Sequence, residues 1–286
     1  MTEKSKGVTS NKERGSKRRR IAIHGKPGSG KTCAAGGLVE GMGGLMRRFS
    51  ETRAQLDKEK WVKLNALWVS ADTNATEGFR VRKIEVPEVD LMDLFADDQD
   101  GTQALEILEQ ATDIVYDHVK KEKPQVVVID TASAIDKPLM RTLENTAPRT
   151  KSGARDSFAI WRMGIAVHDR FHTNMNGLGC DVVFLMHSKP RSESELSEKK
   201  ARAQAVAGQL ADIRFDFMYE DVANIYRRHC DLILIADKAK GSTEAEYALY
   251  TEEWGGFESK SRYGNLVPGK ITEPLWDVFE KYVEGK

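Results

Sequence analysis

The sequence predicts an α/β fold, a twisted and mainly parallel sheet flanked by helices. Three observations carry that prediction. Short apolar runs recur at 21–23, 66–71, 125–130, 181–187, 231–236 and 247–251. Such continuous runs belong to strands buried on both faces of a sheet. Segments with helical spacing lie between several of them, at 101–122 and 158–174, which argues for βαβ units. The first run leads straight into a glycine-rich turn, residues 25–32, GKPGSGKT.

At 286 residues and 40% hydrophobic content, the chain suits one large α/β domain or one domain with extensions. The first twenty residues hold eight Lys and Arg against two Glu, a balance of +6. The formal net charge is zero, so the remainder carries −6. Residues 1–19 read as a disordered basic arm, either touching nucleic acid or merely solubilising, and residues 20–286 as the folded domain. No run approaches eighteen apolar residues, and no apolar leader is visible at the start. Cys33, Cys180 and Cys230 are few and widely spaced, form no metal-ligand pattern, and point to a reducing, cytoplasmic setting.

Taken in order, a strand at 21–23 feeds the glycine turn, and a helix follows toward Phe49, weakened by Gly36, Gly37, Gly41, Gly43 and Gly44. Residues 50–63 read as an exposed helix or loop. The run 66–71 is a buried strand entering the polar end Asp72-Thr73-Asn74, and 81–86 reads as a short strand. Residues 101–122 form an amphipathic helix, ended by Pro124. The run 125–130, QVVVID, is a central strand closed by an acid. Residues 158–174 form a helix with Trp161, Ile165 and Phe171 near one face. The run 181–187 is a strand ending in His187. The last runs lie close together without intervening helices, so they pair as hairpins at one edge.

Two segments read as long charged loops. Residues 135–157 carry Lys137, Arg141, Arg149, Lys151 and Arg155. Residues 188–208 carry Lys189, Arg191, Lys199, Lys200 and Arg202 among several Glu. Long irregular loops in a compact domain are functional or solvated.

The chemistry starts at Gly25, Lys26, Pro27, Gly28, Ser29, Gly30, Lys31 and Thr32, the G-x-x-x-x-G-K-[ST] phosphate-binding loop. Glycines let backbone N–H groups form a nest around a triphosphate. Lys31 is expected to reach the β- and γ-phosphates, and the Thr32 hydroxyl to sit on Mg²⁺. Cys33 continues the nucleotide-contacting stretch. Asp130 stands at the end of a central strand, where a carboxylate holds Mg²⁺. Asp72 is the candidate for orienting the attacking water, with Glu77 as its rival. His187 is the candidate γ-phosphate sensor. Lys260 and Arg262, two residues apart, offer cations for the transition state, presented by a neighbouring subunit.

This order of parts resembles the RecA-like ATPases, most closely the compact, core-only ATPases of phages, including the Sak-type single-strand annealing group. The likeness spans residues 18–270. It rests on the GKPGSGKT loop, a strand ending in His at the sensor position, and the late K-x-R-x-G segment Lys260-Ser261-Arg262-Tyr263-Gly264. DnaB-type and RadA-type members carry a similar element. The resemblance implies a RecA-like core, with ATP and Mg²⁺ bound at subunit interfaces of a ring or filament. It implies that Asp72 matches the catalytic carboxylate, usually Glu in RecA itself, and that His187 replaces the sensor Gln. Lys260 and Arg262 would act in trans on the next subunit's ATP. The loops at 135–157 and 188–208 fall where RecA's DNA-binding loops occur, which makes Arg149, Lys151, Arg155, Lys189, Arg191, Lys199, Lys200 and Arg202 candidate DNA contacts. Phe158 at the margin is their only aromatic residue, so backbone contact by Lys and Arg would dominate.

The function expected is DNA-stimulated ATP hydrolysis in single-stranded DNA recombination, annealing or repair, with a single-strand binding protein as a possible partner and the host cytoplasm as its place. A ring helicase or translocase would need the same site. A nucleotide-dependent switch or loader would turn its loops on a protein partner instead. A small-molecule kinase lacks a matching arginine cluster.

Overall fold

The computed structural model describes residues 18–38, 60–72, 75–98, 100–190, 213–238, 247–252, 259–263 and 267–284. The chain opens with β1 (Arg20–Gly25) and α1 (Lys31–Gly36), then β2 (Val62–Lys63) and β3 (Ala66–Ser70). Next come α2 (Glu77–Val81), β4 (Ile84–Glu85), β5 (Glu88–Asp90), α3 (Leu91–Ala96) and α4 (Ala104–Glu122). The strand β6 (Val126–Asp130) is followed by a 3₁₀ turn at Ala132–Ile135, α5 (Asp136–Thr146) and α6 (Ser157–Asn176). Then follow β7 (Asp181–Pro190), β8 (Ile213–Phe215), α7 (Glu220–His229), β9 (Leu232–Lys238), β10 (Tyr247–Tyr250), β11 (Lys260–Ser261) and β12 (Lys270–Ile271). A short α8 (Leu275–Val278) with a π-helical turn at Phe279–Glu284 closes the described chain.

The main sheet runs β12-β10-β9-β1-β7-β6-β3-β5, with β11 on β9 and β8 on the far end of β7. From β9 to β5 every neighbouring pair is parallel. The antiparallel pairs are confined to β10, β11 and β12 beside β9, and to β8 beside β7. The expected parallel α/β sheet with hairpin-like strands at its late edge is therefore the fold. β2 and β4 form a separate small parallel ribbon.

The core has two layers because the central strands bury alternate residues on opposite faces. Ala22, Val69, Ile129 and Phe184 pack with α4, α5, α6 and α7 through residues such as Leu108, Leu143, Phe171 and Tyr226. Ile23, Trp68, Val128 and Leu185 face the other way, onto Ala35 of α1, Phe79 of α2, and Leu275 and Phe279. Arg20 lies buried at the start of β1 because its guanidinium donates to the carbonyls of Cys180 at 2.9 Å and Asn176 at 2.5 Å, near the end of α6.

Several expectations need correction. The segment 135–157 is not one long loop, since nearly half of it, Asp136–Thr146, is α5. Leu139, Met140 and Leu143 are buried while Lys137 and Arg141 lie exposed, so the cations belong to the polar face of an amphipathic helix. Pro138 fits there because the first turn's N–H groups have no helical partner. The irregular part shrinks to residues 147–156. Residues 81–86 hold the end of α2 and only two strand residues, not a strand throughout. The helix after the glycine turn stops at Gly36, and residues 39–50 lie outside the described ones, as do 1–17 of the expected basic arm. Residues 62–63, expected as helix or loop, are strand β2. The elements β5, α3, β8 and α7 had no sequence-based expectation.

Gly25 ends β1 where the backbone of β9 comes closest. A Cβ there would sit 2.4 Å from the carbonyl oxygen of Ala236 and 2.6 Å from Ser29 Oγ. Gly25→Ala should therefore destabilise the fold by about 1–3 kcal/mol, as overpacking does. Gly78→Ala, in α2 with no atom within 4 Å of the added carbon, should be neutral or slightly stabilising. Urea unfolding of both variants checks this, and equal midpoints would remove the close approach as the reason for glycine.

Candidate active site

The site is built at the C-terminal ends of β1, β3, β6 and β7. The two-residue alternation that sorts the core also decides which side each end group faces. In β6, Val126 and Val128 pack on the α1 side, so Asp130 falls on that side too. In β7, Val183 and Leu185 do the same, which puts His187 there. The pairing Gly25–His187 sets β1 level with β7, and Ser70–Asp130 sets β3 level with β6. Ile129 pairs with Phe184, so His187 stands two residues beyond the level of Asp130.

The glycine turn connects β1 to α1. Gly28 and Gly30 have φ of 74° and 89°, in the left-handed region that favours glycine. Lys31 is buried and folded back over the loop, with Nζ donating to the carbonyls of Gly25 and Lys26, both at 3.0 Å. Burial pushes its ammonium down to about 8, against the pull of Asp130 and Asp72. Thr32 Oγ1 donates to Asp130 Oδ2 at 2.8 Å. Trp68 Nε1, from the middle of β3, donates to the same oxygen at 3.2 Å. Thr131 Oγ1 donates to Oδ1 at 3.3 Å. Burial raises the Asp130 carboxyl, and the hydrogen bonds from Thr32, Trp68 and Thr131 oppose that rise.

Asp72 and His187 meet across the top of the sheet, Oδ2 to Nε2 at 3.4 Å. The His187 backbone N–H donates to Ser133 Oγ at 3.0 Å, which ties the strand end to the 3₁₀ turn after Asp130. Glu77 is placed differently, on the exposed face of α2, where it holds Arg80 at 2.5 Å. Of the two carboxylates weighed for the water, Asp72 is the one beside Lys31 and His187.

Cys33 follows Thr32 in α1 and its thiol is pushed up to about 11 by burial. It lines, with Ser29, Gly37, Leu249, Thr272 and Pro274, a cleft between α1 and the β10–β12 edge. The Ser29 hydroxyl is buried and makes no hydrogen bond. That orphaned donor, the two left-handed glycines, and the paired Thr32 and Asp130 fit a triphosphate with its Mg²⁺. Thr32 and Asp130 would hold the metal, and Lys31 the phosphates.

Lys260 and Arg262 lie at the other end of the sheet. β11 pairs with the start of β9, Ser261 opposite Leu232, whereas the glycine turn follows the end of β1. Lys260 Nζ donates to the carbonyls of Arg227 at 2.5 Å and Cys230 at 3.0 Å, capping α7. Arg262 donates to Arg228 O at 2.5 Å and pairs with Asp231 at 3.1 Å. Neither reaches the glycine turn of its own chain.

Of the candidate DNA contacts, Arg149, Lys151 and Arg155 form a compact hairpin between α5 and α6. Arg149 bridges Arg155, and Arg155 donates to Ala147 O at 2.8 Å. Lys189 is held by Asp216 at 3.1 Å and by the Phe217 carbonyl at 2.5 Å. Arg191, Lys199, Lys200 and Arg202 lie outside the described residues. Sequence reasoning missed Trp68 and Ser133. An indole in the middle of a buried strand signals a hydrogen-bond partner, but only the register names Asp130.

Lys31 gives a pH dependence with a definite sign. Charged Lys31 in this desolvated position costs stability below pH 8, and the cost is relieved as pH rises above it. Phosphate binding restores the charge. Nucleotide affinity should therefore stay level below about pH 7 and fall by up to about tenfold per unit above pH 8, with proton uptake on binding. Calorimetry in buffers of different ionisation enthalpy reads that uptake, and a constant affinity up to about pH 9 would show that Lys31 stays charged throughout.

The family model for an AAA domain, AAA_24, matches residues 17–263. Among curated proteins nothing matches the chain. Among solved structures the chain is similar to a KaiC-like protein from the hyperthermophilic archaeon Pyrococcus horikoshii OT3. That likeness has 11% identity over 85% of this chain and 81% of that one, with a TM-score of 0.37. It is also similar to the flagellar accessory protein FlaH from Methanocaldococcus jannaschii, at 12% identity over 81% and 76%, with a TM-score of 0.33. The family match takes in β1 through β11 and every strand end of the site, so the chain belongs to the AAA_24 family of AAA domains and is a P-loop ATPase with a RecA-like core.

Proposed function

We propose that the chain hydrolyses ATP with Mg²⁺ and acts on single-stranded DNA in recombination, annealing or repair, as a compact ATPase of the phage Sak type. The observation that carries this reading is the convergence on one sheet edge of Lys31, the Thr32–Asp130 pair and the Asp72–His187 pair. The basic hairpin that follows α5 adds the charge for a phosphate backbone.

In this mechanism, the turn from Gly25 to Thr32 wraps the β- and γ-phosphates in backbone N–H groups. Lys31 leaves the carbonyls of Gly25 and Lys26 and neutralises phosphate charge. The nucleoside end lies in the cleft lined by Cys33, Gly37 and Thr272. When bound at Thr32 and Asp130, Mg²⁺ supplies charge neutralisation across the phosphates. Asp72 orients a water on the γ-phosphate side and takes its proton. His187, 3.4 Å from Asp72, senses whether the γ-phosphate is present and passes that state to Ser133 and the segment beyond.

Lys260 and Arg262 serve a neighbouring subunit. They stand at the opposite end of the sheet from the glycine turn, so a second copy stacked in a ring or filament would bring them to its partner's phosphates. A switch or loader acting on a protein partner is the second reading. The observation behind it is Lys189, which is engaged by Asp216 and the Phe217 carbonyl rather than turned outward. A ring motor would use the same residues. Among the described residues, no helix is long and apolar enough to cross a membrane.

Steady-state hydrolysis with and without single-stranded DNA, at low and moderate salt, tests the central claim. The expected result is a several-fold stimulation that fades as salt rises. Hydrolysis indifferent to DNA would leave the nucleotide site standing and move the switch reading to the front. The trans role has its own test. Arg262→Ala should bind ATP yet lose about 10²–10³-fold in turnover. Mixing it with Lys31→Ala protein should restore mixed interfaces with one intact site, and no recovery on mixing would remove the second subunit from the mechanism.

A further inference from the structure

The first turns of α6 carry an aromatic pair that the core does not use. Phe158 is 61% exposed. Its ring centroid lies 5.2 Å from that of Trp161, with the planes tilted by 32°. Trp161 Nε1 donates to Asp221 Oδ2 at 3.2 Å, across the seam between α6 and α7, which fixes the indole's orientation. The Arg162 guanidinium lies 5.9 Å from the Phe158 ring. A single exposed aromatic residue needs no explanation. Two rings held side by side, one by a hydrogen bond and the other beside a cation, form a surface.

Along the pair's own segment the charge is one-sided, while Asp221 of α7 sits against the indole nitrogen. Between Ala147 and Arg162 the chain has Arg149, Lys151, Arg155 and Arg162 against Asp156 alone. Asp156 is occupied as the cap of α6, accepting from the N–H groups of Phe158 at 3.0 Å and Ala159 at 3.1 Å. Lys151 is exposed at the hairpin turn. The hairpin itself is shaped by Thr150 N–H donating to Ala154 O at 2.7 Å and by Gly153 at φ +84°. Apolar rings rimmed by cations match a polyanion with flat apolar faces. Base stacking on aromatic residues, flanked by Lys and Arg on the backbone, is how single strands are held.

We propose that Phe158 and Trp161 form a base-stacking platform for single-stranded DNA, with Lys151, Arg149 and Arg162 on the adjoining phosphates. This deepens the DNA reading above and rests on it. It also replaces the expectation that backbone contacts alone would dominate. The hairpin steers the strand, and the rings hold the bases irrespective of sequence, because every base has a π-face. The platform lies in the segment that leaves the Asp130 strand end through Ser133, so the bound strand and the nucleotide share one continuous stretch of chain.

The test uses the full chain and two fluorescent probes of about 20 nucleotides, long enough for a single-strand site. One is oligothymidylate, and the other is an abasic strand of the same length. Wild type should prefer oligothymidylate by about tenfold or more at moderate salt. Phe158→Ala and Trp161→Ala should bring that preference close to one while leaving abasic binding and its salt slope unchanged. Phe158→Tyr should keep the preference. Lys151→Ala should weaken both probes alike and flatten the salt slope by about 0.7. Hydrolysis by Phe158→Ala without DNA should match wild type, which shows the variant folded.

Equal binding of the two probes by wild type, or a preference that survives Phe158→Ala, overturns the platform and leaves the DNA reading intact. Binding of neither probe overturns both. Light scattering covers the remaining outcome. If Phe158→Ala changes the oligomeric state and not the base preference, the rings are a contact between copies of the chain and the platform is wrong.

Discussion

Everything in the site depends on the central strands being buried on both faces. β1 and β6 are buried along their whole length, and β7 from Val182 to Met186, because helices cover the sheet above and below. A strand in that position has no place for chemistry except its end. The expected strand end at His187 is corrected, since β7 continues to Pro190 beside β8. Asp130 is polar because β6 runs out there, and His187 because the full burial of β7 ends at Met186. The alternation of side chains then chooses their side. With Val128 and Leu185 packed toward α1, the next residues of the same parity must point the same way. The geometry of catalysis is thus an outcome of core packing, and it would be lost by a one-residue slip in register.

That constraint explains which parts were legible in the sequence. The glycine turn, the strands at 66–71, 125–130 and 181–187, and the helices at 101–122 and 158–174 each carry a local signal strong enough to survive tertiary context. The elements α5 and α7 did not. Their apolar positions are few and their exposed faces are charged, so Lys137 and Arg141 looked like a loop. Amphipathic helices of about ten residues gain most of their stability from the packed face, and that face is defined only once the sheet exists. In one dimension Asp72 was the candidate for the water and Glu77, five residues on, its rival. The α2 helix separates them by turning Glu77 outward onto Arg80. Trp68 and Ser133 were illegible for a further reason, since each acts on a partner fixed by strand register rather than by sequence distance.

The position of Lys260 and Arg262 shows how one arrangement can serve structure and assembly together. Both side chains converge on carbonyls at the C-terminal end of α7, where positive charge is favourable. Burial lowers the Lys260 ammonium, and Arg262 beside it lowers it further. Two cations held together at some cost would gain from an anion brought up to them. Within one chain no nucleotide phosphate comes near, because β11 sits at the start of β9 and the glycine turn sits past the end of β1. In the proposed assembly, the neighbour's phosphates supply that anion.

The same logic applies inside the nucleotide site. Lys31 is desolvated, and so is Asp130, and each is driven toward its neutral form by burial. The donors around Asp130 are spent on one carboxylate, and Lys31 is satisfied only by two carbonyls of its own loop. This arrangement is internally consistent but electrostatically poor. A triphosphate offers Lys31 charged oxygens in place of neutral carbonyls, and a divalent cation lets Asp130 ionise at low cost. The protein therefore holds its charged groups in positions that become favourable only when nucleotide and metal arrive together. In the proposed mechanism that joint requirement couples the two ligands, and Asp72 and His187, near the same pair, register the change.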